Sequence, residues 1–192
     1  MAWVRSLGSP QARADAAGVR AGLRWLVADV RGDDAPEDVE VRRECPRCAR
    51  AHGPAVLPAL GWASSVSHGG GLVAAAAATH GPVGIDVEHR DVEVVGWALA
   101  PAERALVAMR PELFARIWTA KEALLKASGE GLDGDPASLE VDPVALTWSD
   151  RRRRPRLRGV RLHALEGPQA PWPYVATLAT TADAARVHRR HP

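Results

Sequence analysis

The chain has 192 residues, and its 46% apolar and 25% charged residues are typical of a globular protein. No apolar run approaches the roughly 18 residues that span a bilayer, and two cysteines are too few for a disulfide framework. Neither a membrane-spanning helix nor a disulfide-rich scaffold is therefore expected. The first residues do not resemble a secretory signal, so a cytoplasmic location is expected.

The net charge of +2 conceals an uneven distribution. Residues 151–192 hold ten Arg and two acidic residues, whereas the rest of the chain is acidic overall. A basic end indicates an anionic partner without identifying it. Lys121 and Lys126 are the chain's two lysines, and they lie only five positions apart. This placement is either chance or a sign that a compact ammonium group is needed there.

Hydrophobic periodicity in the first part of the chain predicts one helix and two strands. Residues 12–30 predict an amphipathic helix, and the Pro-rich residues 39–60 predict irregular structure. The segments Leu72–Thr79 and Val83–Glu88 predict a strand–turn–strand unit. Ser67 and His68 directly precede three glycines, where a loop is expected.

The second part of the chain predicts two helices followed by strands. Pro101 and Pro111 each suit a first helical position, and the helices they open run to about Arg110 and Ser128. Gly129 is a suitable stop signal. Strands are predicted over residues 139–148, 157–165 and 173–181, and the His- and Arg-rich tail is expected to be frayed.

The segment Gly84–Glu88 places two carboxylates on one face of a strand. Alternate strand residues share a face, so Asp86 and Glu88 point one way while Ile85 and Val87 point into a core. Adjacent like charges repel, and a hard cation removes that cost. Ordinary charges on a solvent-facing strand are the alternative interpretation.

Glu122 and Lys126 form an i,i+4 pair on the second predicted helix, beside a buried stripe of Phe114, Ile117, Leu124 and Leu125. An exposed pair of this kind stabilises a helix by about 0.2–0.5 kcal/mol and needs no further role. Together with Asp86 and Glu88, however, Glu122 completes three oxygen ligands suited to Mg2+, and Lys126 can neutralise a phosphate. This combination indicates phosphoryl or pyrophosphate chemistry.

Three motifs in this order resemble those of the 4′-phosphopantetheinyl transferases. They are the pattern S-x-S-H at 65–68, GIDVE at 84–88 and WTAKEALLKASGEGL at 118–132. The resemblance extends over about Arg13 to Leu132 and is strongest to the monomeric, broad-specificity type that activates surfactin-like peptide synthetases. It implies an α+β fold of two similar α/β halves around a pseudo-twofold axis, here divided as residues 1–82 and 83–192.

The resemblance also implies an activity and residue roles. A phosphopantetheine arm would pass from coenzyme A to apo-carrier proteins of fatty-acid, polyketide or peptide synthetases. Asp86, Glu88 and Glu122 would bind Mg2+. Glu122 would also activate the acceptor serine, and Lys126 would hold the pyrophosphate. The remaining implied contacts are Ser67 and His68, at the 3′-phosphoadenosine end of coenzyme A, and Glu103, near the metal.

Several positions depart from the family pattern. Ser65 replaces an asparagine, Gly69 a serine, and Glu130 the lysine of a G-K-G-L ending, and a basic residue is missing at Gly53-Pro54. These changes lie around the expected coenzyme A contacts and leave the carboxylates in place.

Two other interpretations remain open from the residues. One is a different Mg2+-dependent phosphotransfer or hydrolytic enzyme that uses the same three acids. The other is a nucleic-acid-binding protein that uses the Arg-rich run 151–158, although one Phe and one Tyr leave few aromatic rings for stacking on bases. Cys45, Cys48 and His52 also provide three of the four ligands that a structural zinc site needs, but no fourth lies nearby, so the cysteines are interpreted as turn or core residues.

Overall fold

The computed structural model describes residues 2–8, 16–32, 35–43, 45, 48, 53–69, 72–165, 173–182 and 185–190. Its three α-helices are α1 (Ala16–Arg31), α2 (Pro101–Met109) and α3 (Phe114–Ser128). The strands are β1 (Ala2–Gly8), β2 (Arg42–Arg43), β3 (Ala55–Val56), β4 (Ala63–Gly69), β5 (Leu72–Ala78), β6 (Val83–His89), β7 (Leu139–Asp142), β8 (Thr147–Asp150), β9 (Arg161–Ala164), β10 (Tyr174–Thr180) and β11 (Ala185–Arg190). Helices and sheets are mixed along the chain, as the α+β prediction requires.

Two sheets form the centre of the described part of the molecule. The first has the order β11-β1-β5-β4, in which β11 and β1 are parallel and the other neighbours are antiparallel. The second has the order β6-β10-β9 and is antiparallel throughout. Two small antiparallel pairs, β2–β3 and β7–β8, flank them.

The apolar side chains arrange these elements in four layers. Leu23, Leu26 and Val27 of α1 pack on one face of β5, against Ala75 and Ala77. The opposite face of β5 packs on the second sheet, and the outer side of that sheet carries α3. All seven residues of β5 are buried. The run of alanines therefore reflects a strand covered on both faces, where small side chains permit close layers.

Helix α3 ends at Gly129 as predicted, but it begins at Phe114, three residues after the predicted start at Pro111. Pro111 opens a 3-10 turn that leads into the helix, and Gly129 closes it with a left-handed φ of 86°. Glycine adopts this conformation without the steric cost that other residues pay. Phe114, Ile117 and Leu124 are buried, so the predicted apolar stripe is confirmed.

Several predicted elements differ from the structure. Ser67 and His68 lie on a strand, β4, and not in a loop. Residues 139–148 contain a hairpin in which β7 turns into β8, because Asp142 accepts backbone hydrogen bonds from Val144 and Ala145. The tail expected to be frayed contains β11, which pairs with β1 at the other end of the chain. The strands predicted at 72–79 and 83–88 both form, but in different sheets.

None of the described helices is both long and apolar enough to cross a membrane. The pseudo-twofold axis and the division at residue 82 stay predictions.

Candidate active site

The site lies where α3 crosses β6, and Gly84 sets how closely the two elements approach. A Cβ atom at Gly84 would stand 1.9 Å from the carbonyl oxygen of Ala123 and 2.7 Å from the backbone nitrogen of Ala127. Only a residue without a side chain permits this approach. The contact places the helix turn that carries Glu122 and Lys126 directly over the strand that carries Asp86.

Strand β6 separates its apolar and acidic side chains as its alternation predicts. Ile85 and Val87 are buried in the core between the two sheets. Asp86 faces α3, since Lys126 of that helix donates to its carboxylate. Glu88 has the same strand phase as Asp86 and is half-buried.

Asp86 is 5% exposed and is held through one of its two oxygens. Its Oδ1 accepts from Ser67 Oγ at 2.6 Å and from Lys126 Nζ at 2.6 Å. Its Oδ2 is buried and has no hydrogen-bond partner among the described residues. A buried carboxylate oxygen without a partner is costly, so this atom is available to a cation or a donor supplied by a ligand.

The carboxylates of β6 and α3 influence one another electrostatically. Burial, followed by the negative charge of Asp86, raises the pKa of Glu122 from 4.5 to about 7, although Lys126 acts in the opposite sense. Burial and then Asp86 also raise the pKa of Glu88. Two acids whose pKa the neighbouring Asp86 raises belong to a site that gains stability from an added positive charge.

A divalent cation suits this site because of the type of donor atoms present, although these atoms do not enclose a metal-sized space. Across the described ranges, no group of three or more His, Cys, Asp or Glu side chains is already gathered closely enough to hold a metal. The partnerless Asp86 Oδ2 and the neighbouring carboxylates of Glu88 and Glu122 are nevertheless hard oxygen donors of the type Mg2+ prefers. Because Mg2+ usually keeps several waters and takes phosphate oxygens, an open half-site of carboxylates suits it.

The two lysines have different surroundings. Lys126 is 22% exposed and donates to Asp86 Oδ1 and to the Ile85 carbonyl. Among the described residues these are its two acceptors, so its third N–H group can donate to a bound ligand. Lys121 is fully buried and donates to the carbonyls of Ala98 and Pro136 and to Glu103. Burial lowers the pKa of Lys121. The two scarce lysines thus differ, since Lys126 contacts the carboxylate of Asp86 at a partly open position and Lys121 is a buried structural residue.

Glu103 belongs to this structural pair. Its Oε2 lies 2.5 Å from Lys121 Nζ and accepts from the backbone of Ala100, and its Oε1 accepts from Val141. The carboxylate thereby ties α2, α3 and β7 together. Both oxygens of Glu103 have partners among the described residues, and its expected place near the metal stays a prediction.

The same conservative substitution should separate the two lysines. Lys121→Arg forces a larger head into a fully buried position and should cost about 1–3 kcal/mol of unfolding free energy, with little change in the rate of the transfer that the family resemblance implies. Lys126→Arg keeps the charge at a partly open position, so stability should change by less than about 1 kcal/mol. The planar head cannot reproduce the ammonium contacts, however, and the rate should fall by about tenfold or more. Urea unfolding and single-turnover kinetics measure both quantities.

If Lys126→Arg ran at the wild-type rate, the geometry of the ammonium would not matter at the site. If Lys121→Arg left the unfolding midpoint unchanged, the residues around Lys121 would have room for a larger side chain, contrary to its complete burial.

Ser67 and His68 are not brought together at one point. Consecutive strand residues face opposite sides. Ser67 accordingly is buried and donates to Asp86, whereas His68 is exposed. The two residues expected to share one phosphate group therefore have separate surroundings.

The departures from the family pattern have structural counterparts. Ser65 Oγ accepts from the backbone N–H of Ile85. A Cβ at Gly69 would stand 2.4 Å from the Val87 carbonyl and 3.0 Å from Glu88 Oε2, so a serine does not fit there. Glu130 Oε1 accepts from Arg154 Nε at 2.8 Å. Where the family motif has a lysine, this chain therefore has a glutamate that forms an ion pair with Arg154.

The two cysteines lie apart from the carboxylates in the chain and form no disulfide. Cys45 is buried, Cys48 is exposed, and the Cys48 N–H donates to the Cys45 carbonyl at 3.3 Å. His52, the third zinc ligand considered, lies outside the described residues. The interpretation as turn or core residues agrees with this backbone turn.

Two contributors to the site were not identified in the sequence. In the sequence, Ser65 stands out only as a departure from a motif, and Gly84 only as the first residue of one. A glycine inside a strand indicates close backbone approach, and this signal precedes Ile85. Serines alternating at 65 and 67 also indicated one polar face directed at a partner.

Comparison with known protein families provides the context for this geometry. A comparison with curated proteins found no significant match. The sequence model of the 4'-phosphopantetheinyl transferase superfamily matches residues 82–178, a segment that holds Asp86, Glu88, Glu122 and Lys126 but not Ser67 or His68. Because this match covers half of the chain, the protein belongs to the 4'-phosphopantetheinyl transferase superfamily, whose members are transferases that use coenzyme A as donor and act on apo-carrier proteins.

Proposed function

We propose that this protein transfers the 4′-phosphopantetheine arm of coenzyme A to a serine of an apo-carrier protein, in a Mg2+-dependent reaction that releases adenosine 3′,5′-bisphosphate. The observation that carries the proposal is the approach of α3 to β6 at Gly84, which brings Lys126 onto Asp86 and Glu122 within the electrostatic influence of Asp86 and Glu88, while Asp86 Oδ2 has no partner among the described residues. This donor set suits a pyrophosphate and its counter-ion.

The residues of α3 have distinct parts in the reaction. The acceptor serine oxygen attacks the phosphorus that carries pantetheine, and the bond from that phosphorus to the bridging oxygen of the nucleotide breaks. Glu122 takes the serine proton, the role that the family resemblance implies for it, and its position on α3 beside Asp86 and Lys126 supports this role. Lys126 places its remaining N–H against the departing nucleotide phosphate as negative charge develops there.

Asp86, Glu88 and Glu122 would hold Mg2+, which supplies charge neutralisation on the pyrophosphate oxygens when bound. Before substrate arrives, Asp86 is oriented by Ser67 and Lys126. The long helix and the strand that carry the site are rigid elements, which favours precise positioning of the reacting groups.

The decisive test is intact mass spectrometry of several apo-carriers incubated with the protein, coenzyme A and Mg2+. A serine-linked phosphopantetheine on at least one carrier supports the proposal, and EDTA should abolish the product. An Asp86→Ala control should remain folded and inactive, because losing one ligand costs catalysis more than folding. Unchanged carriers from fatty-acid, polyketide and peptide synthetases alike would contradict the proposal, and undiminished turnover in EDTA would contradict its metal requirement.

Coenzyme A should be recognised partly through its 3′-phosphate by His68, which is exposed on β4. Dephospho-coenzyme A should then bind about tenfold more weakly, since a charge-assisted hydrogen bond is lost. His68→Ala should erase this difference, whereas His80→Ala, also exposed, should preserve it. Calorimetry with both ligands measures the preference, and equal affinities for the wild-type protein would remove His68 from this role.

The Arg-rich segment from Arg151 to Arg161 is proposed as the surface that meets an acidic carrier. Arg154 is not available for this, because its guanidinium is buried against Glu130, Asp150 and Ser138. The exposed arginines of this segment are Arg151, Arg152, Arg153, Arg156, Arg158 and Arg161.

Reversing two of these charges tests the surface. In Arg156→Glu/Arg158→Glu, the KM for carrier should rise by about 3- to 10-fold at low salt and lose most of its salt dependence. The KM for coenzyme A should stay unchanged, and Arg31→Glu, on α1, provides a control of equal charge change per residue. A flat salt response of the wild-type protein would place carrier docking elsewhere.

The same assays separate the other interpretations. Release of phosphate without a modified carrier would favour a hydrolytic enzyme, and retention of random nucleic acid at physiological salt would favour a nucleic-acid-binding protein. Broad carrier specificity and a monomeric state belong to the proposal through the family resemblance. A panel of carriers and light scattering test them.

A further inference from the structure

The segment between β6 and α2 carries an exposed aromatic side chain. Its Val92 and Val95 pack against the buried cluster that contains Phe114 and Ile117. Trp97, in the 3-10 turn Gly96–Ala98 that follows, is instead 66% exposed. A single exposed apolar residue is common in globular proteins, so the exposure of Trp97 assigns no function without its surroundings.

The surroundings of Trp97 connect it to the candidate active site. Its ring meets the ring of Trp118 edge to face, with the centroids 6.3 Å apart, and Trp118 in turn stacks on the buried Phe114 at 6.2 Å. Trp118 lies one turn before Glu122 on α3, and residues four apart share a side of a helix. The exposed ring is therefore supported by a packed aromatic cluster next to the part of α3 that carries Glu122.

A second turn borders the one that carries Trp97. The 3-10 turn Gly96–Ala98 packs against the 3-10 turn Pro136–Ser138. The buried ammonium group of Lys121 donates to the Ala98 carbonyl at 2.8 Å and to the Pro136 carbonyl at 3.0 Å. Because one side chain of α3 binds both turns, their relative position is fixed by the core of the protein.

The first arginines of the Arg-rich segment attach to this second turn. The Arg151 N–H donates to the Ser138 carbonyl at 3.0 Å, and the Arg151 guanidinium donates to the Ala137 carbonyl. A carbonyl is a neutral acceptor, so this bond leaves the positive charge of Arg151 on the surface. Arg152 follows and lies 3.1 Å from Asp135 at the start of the same turn. An exposed aromatic ring and exposed cations thus occupy two turns that touch each other.

We propose that Trp97, Trp118, Arg151 and Arg152 form one docking surface, the Trp–Arg surface, for an acidic apo-carrier protein. Trp97 is its apolar centre and receives an apolar side chain that the carrier presents beside its acceptor serine, while the arginines meet carboxylates at the rim. The inference rests on the proposed function, in which the serine must reach Glu122.

The composition and position of this surface favour that occupant over others. Trp and Arg are the residues most enriched among those that dominate the energy of protein–protein contacts, and charged rims mainly steer the encounter. Members of the superfamily act on carrier proteins, so a protein must approach the end of α3 that holds the reacting groups. The Trp–Arg surface lies beside that position and continues into the Arg-rich segment.

Trp97→Ala tests the surface in a binding measurement that needs no turnover. The probe is a fluorescently labelled apo-carrier that the wild-type protein modifies, with its acceptor serine replaced by alanine. Fluorescence anisotropy should show a dissociation constant about 10-fold higher for Trp97→Ala, as expected for a central aromatic contact. The loss should be similar at low and high salt, since it comes from apolar contact and not from charge.

Two further variants control the measurement. Trp97→Phe keeps an aromatic ring of smaller area, so its dissociation constant should lie between those of the wild-type protein and Trp97→Ala. Val144→Ala removes part of another exposed apolar side chain, between β7 and β8, and should change carrier affinity by less than about twofold. Calorimetry with coenzyme A should give affinities within about twofold of wild type for all three variants.

The other possible occupants of the surface predict different results. Unchanged carrier affinity in Trp97→Ala would overturn the inference and leave the proposed transferase intact. Weaker coenzyme A binding with unchanged carrier affinity would overturn it too, and would place the ring against coenzyme A. The same holds if light scattering shows a wild-type dimer that Trp97→Ala dissociates without loss of carrier affinity, because the ring would then join two copies of the chain. If the wild-type protein neither bound nor modified any carrier, the proposed function and this surface would both be wrong.

Discussion

Glu122→Gln should lower the single-turnover rate of pantetheine transfer by about 100-fold or more, because the substitution keeps the shape of the side chain but removes its charge and basicity. Glu122 is 5% exposed and lies within the influence of Asp86, Glu88 and Lys126. The pair Glu122 and Lys126 is therefore not the solvated surface pair that their i,i+4 spacing also permitted. An exposed pair would leave the rate unchanged.

The same variant has a second, independent effect on the metal-free protein. The pKa of Glu122 is about 7 in the folded protein and 4.5 in the unfolded chain, so the folded state binds the proton more tightly. The stabilisation from this proton is complete below about pH 4.5 and is lost as the pH rises through about 7. Between pH 5 and 8 in EDTA, the wild-type protein should lose roughly 1–3 kcal/mol relative to the neutral Glu122→Gln.

Urea unfolding of both proteins at pH 5, 6, 7 and 8 measures this difference, in which other titrating groups cancel. Adding Mg2+ at pH 8 should restore the wild-type protein and have less effect on the variant, since a ligand that binds only the folded state stabilises it. Parallel pH profiles for the two proteins would show that Glu122 does not titrate in this range. A wild-type transfer rate for Glu122→Gln would refute the metal-centred mechanism as a whole.

The local parts of the site follow from local sequence patterns. Alternation in Gly84–Glu88 determines which side chains of β6 face the core, and Pro111 and Gly129 bound the helix that carries Glu122. These signals act over a few residues, where backbone geometry and burial decide the outcome without help from distant segments. The relation between strand and helix was predicted only through the resemblance to a family.

The missed elements depend on contacts between distant segments. The pair β1–β11 joins the two ends of the chain, and no short pattern records such a partner. Strand β4 has three serines and ends at a glycine, a composition that locally favours a loop, but Ser65 and Ser67 form bonds to β6 that outweigh that preference. The hairpin β7–β8 had a local signal, since Asp142-Pro143 is typical of a turn.

The two lysines of the chain lie on the same helix but have different surroundings. The sequence placed both lysines in α3, next to the predicted site. Position along a helix turns by about 100° per residue, so Lys121 points away from Glu122 toward Glu103, whereas Lys126 lies one turn beyond Glu122 on its own side. Composition identifies an unusual segment, but helical phase decides which of its members reaches the site.

Gly84→Ala should damage both the fold and the reaction, because the new Cβ would lie 1.9 Å from the Ala123 carbonyl. The atom it meets belongs to the backbone of α3, so no rotamer change can relieve the clash. The helix must move away from β6 by about 1 Å, and a displacement of that size can cost about 100-fold in rate. Overpacking at this interface should also cost about 3 kcal/mol of unfolding free energy.

Gly96→Ala is the matched control, since a Cβ there meets nothing within 4 Å and the backbone φ is not in the left-handed region. Its stability should stay within about 1 kcal/mol of wild type and its rate should be unchanged. Thermal unfolding and single-turnover transfer at a temperature where both variants are folded separate the two effects. If Gly84→Ala matched Gly96→Ala in both measurements, α3 would not rest on β6 at the described distance. The assembly of Asp86, Glu122 and Lys126 into one site would then lose its structural basis.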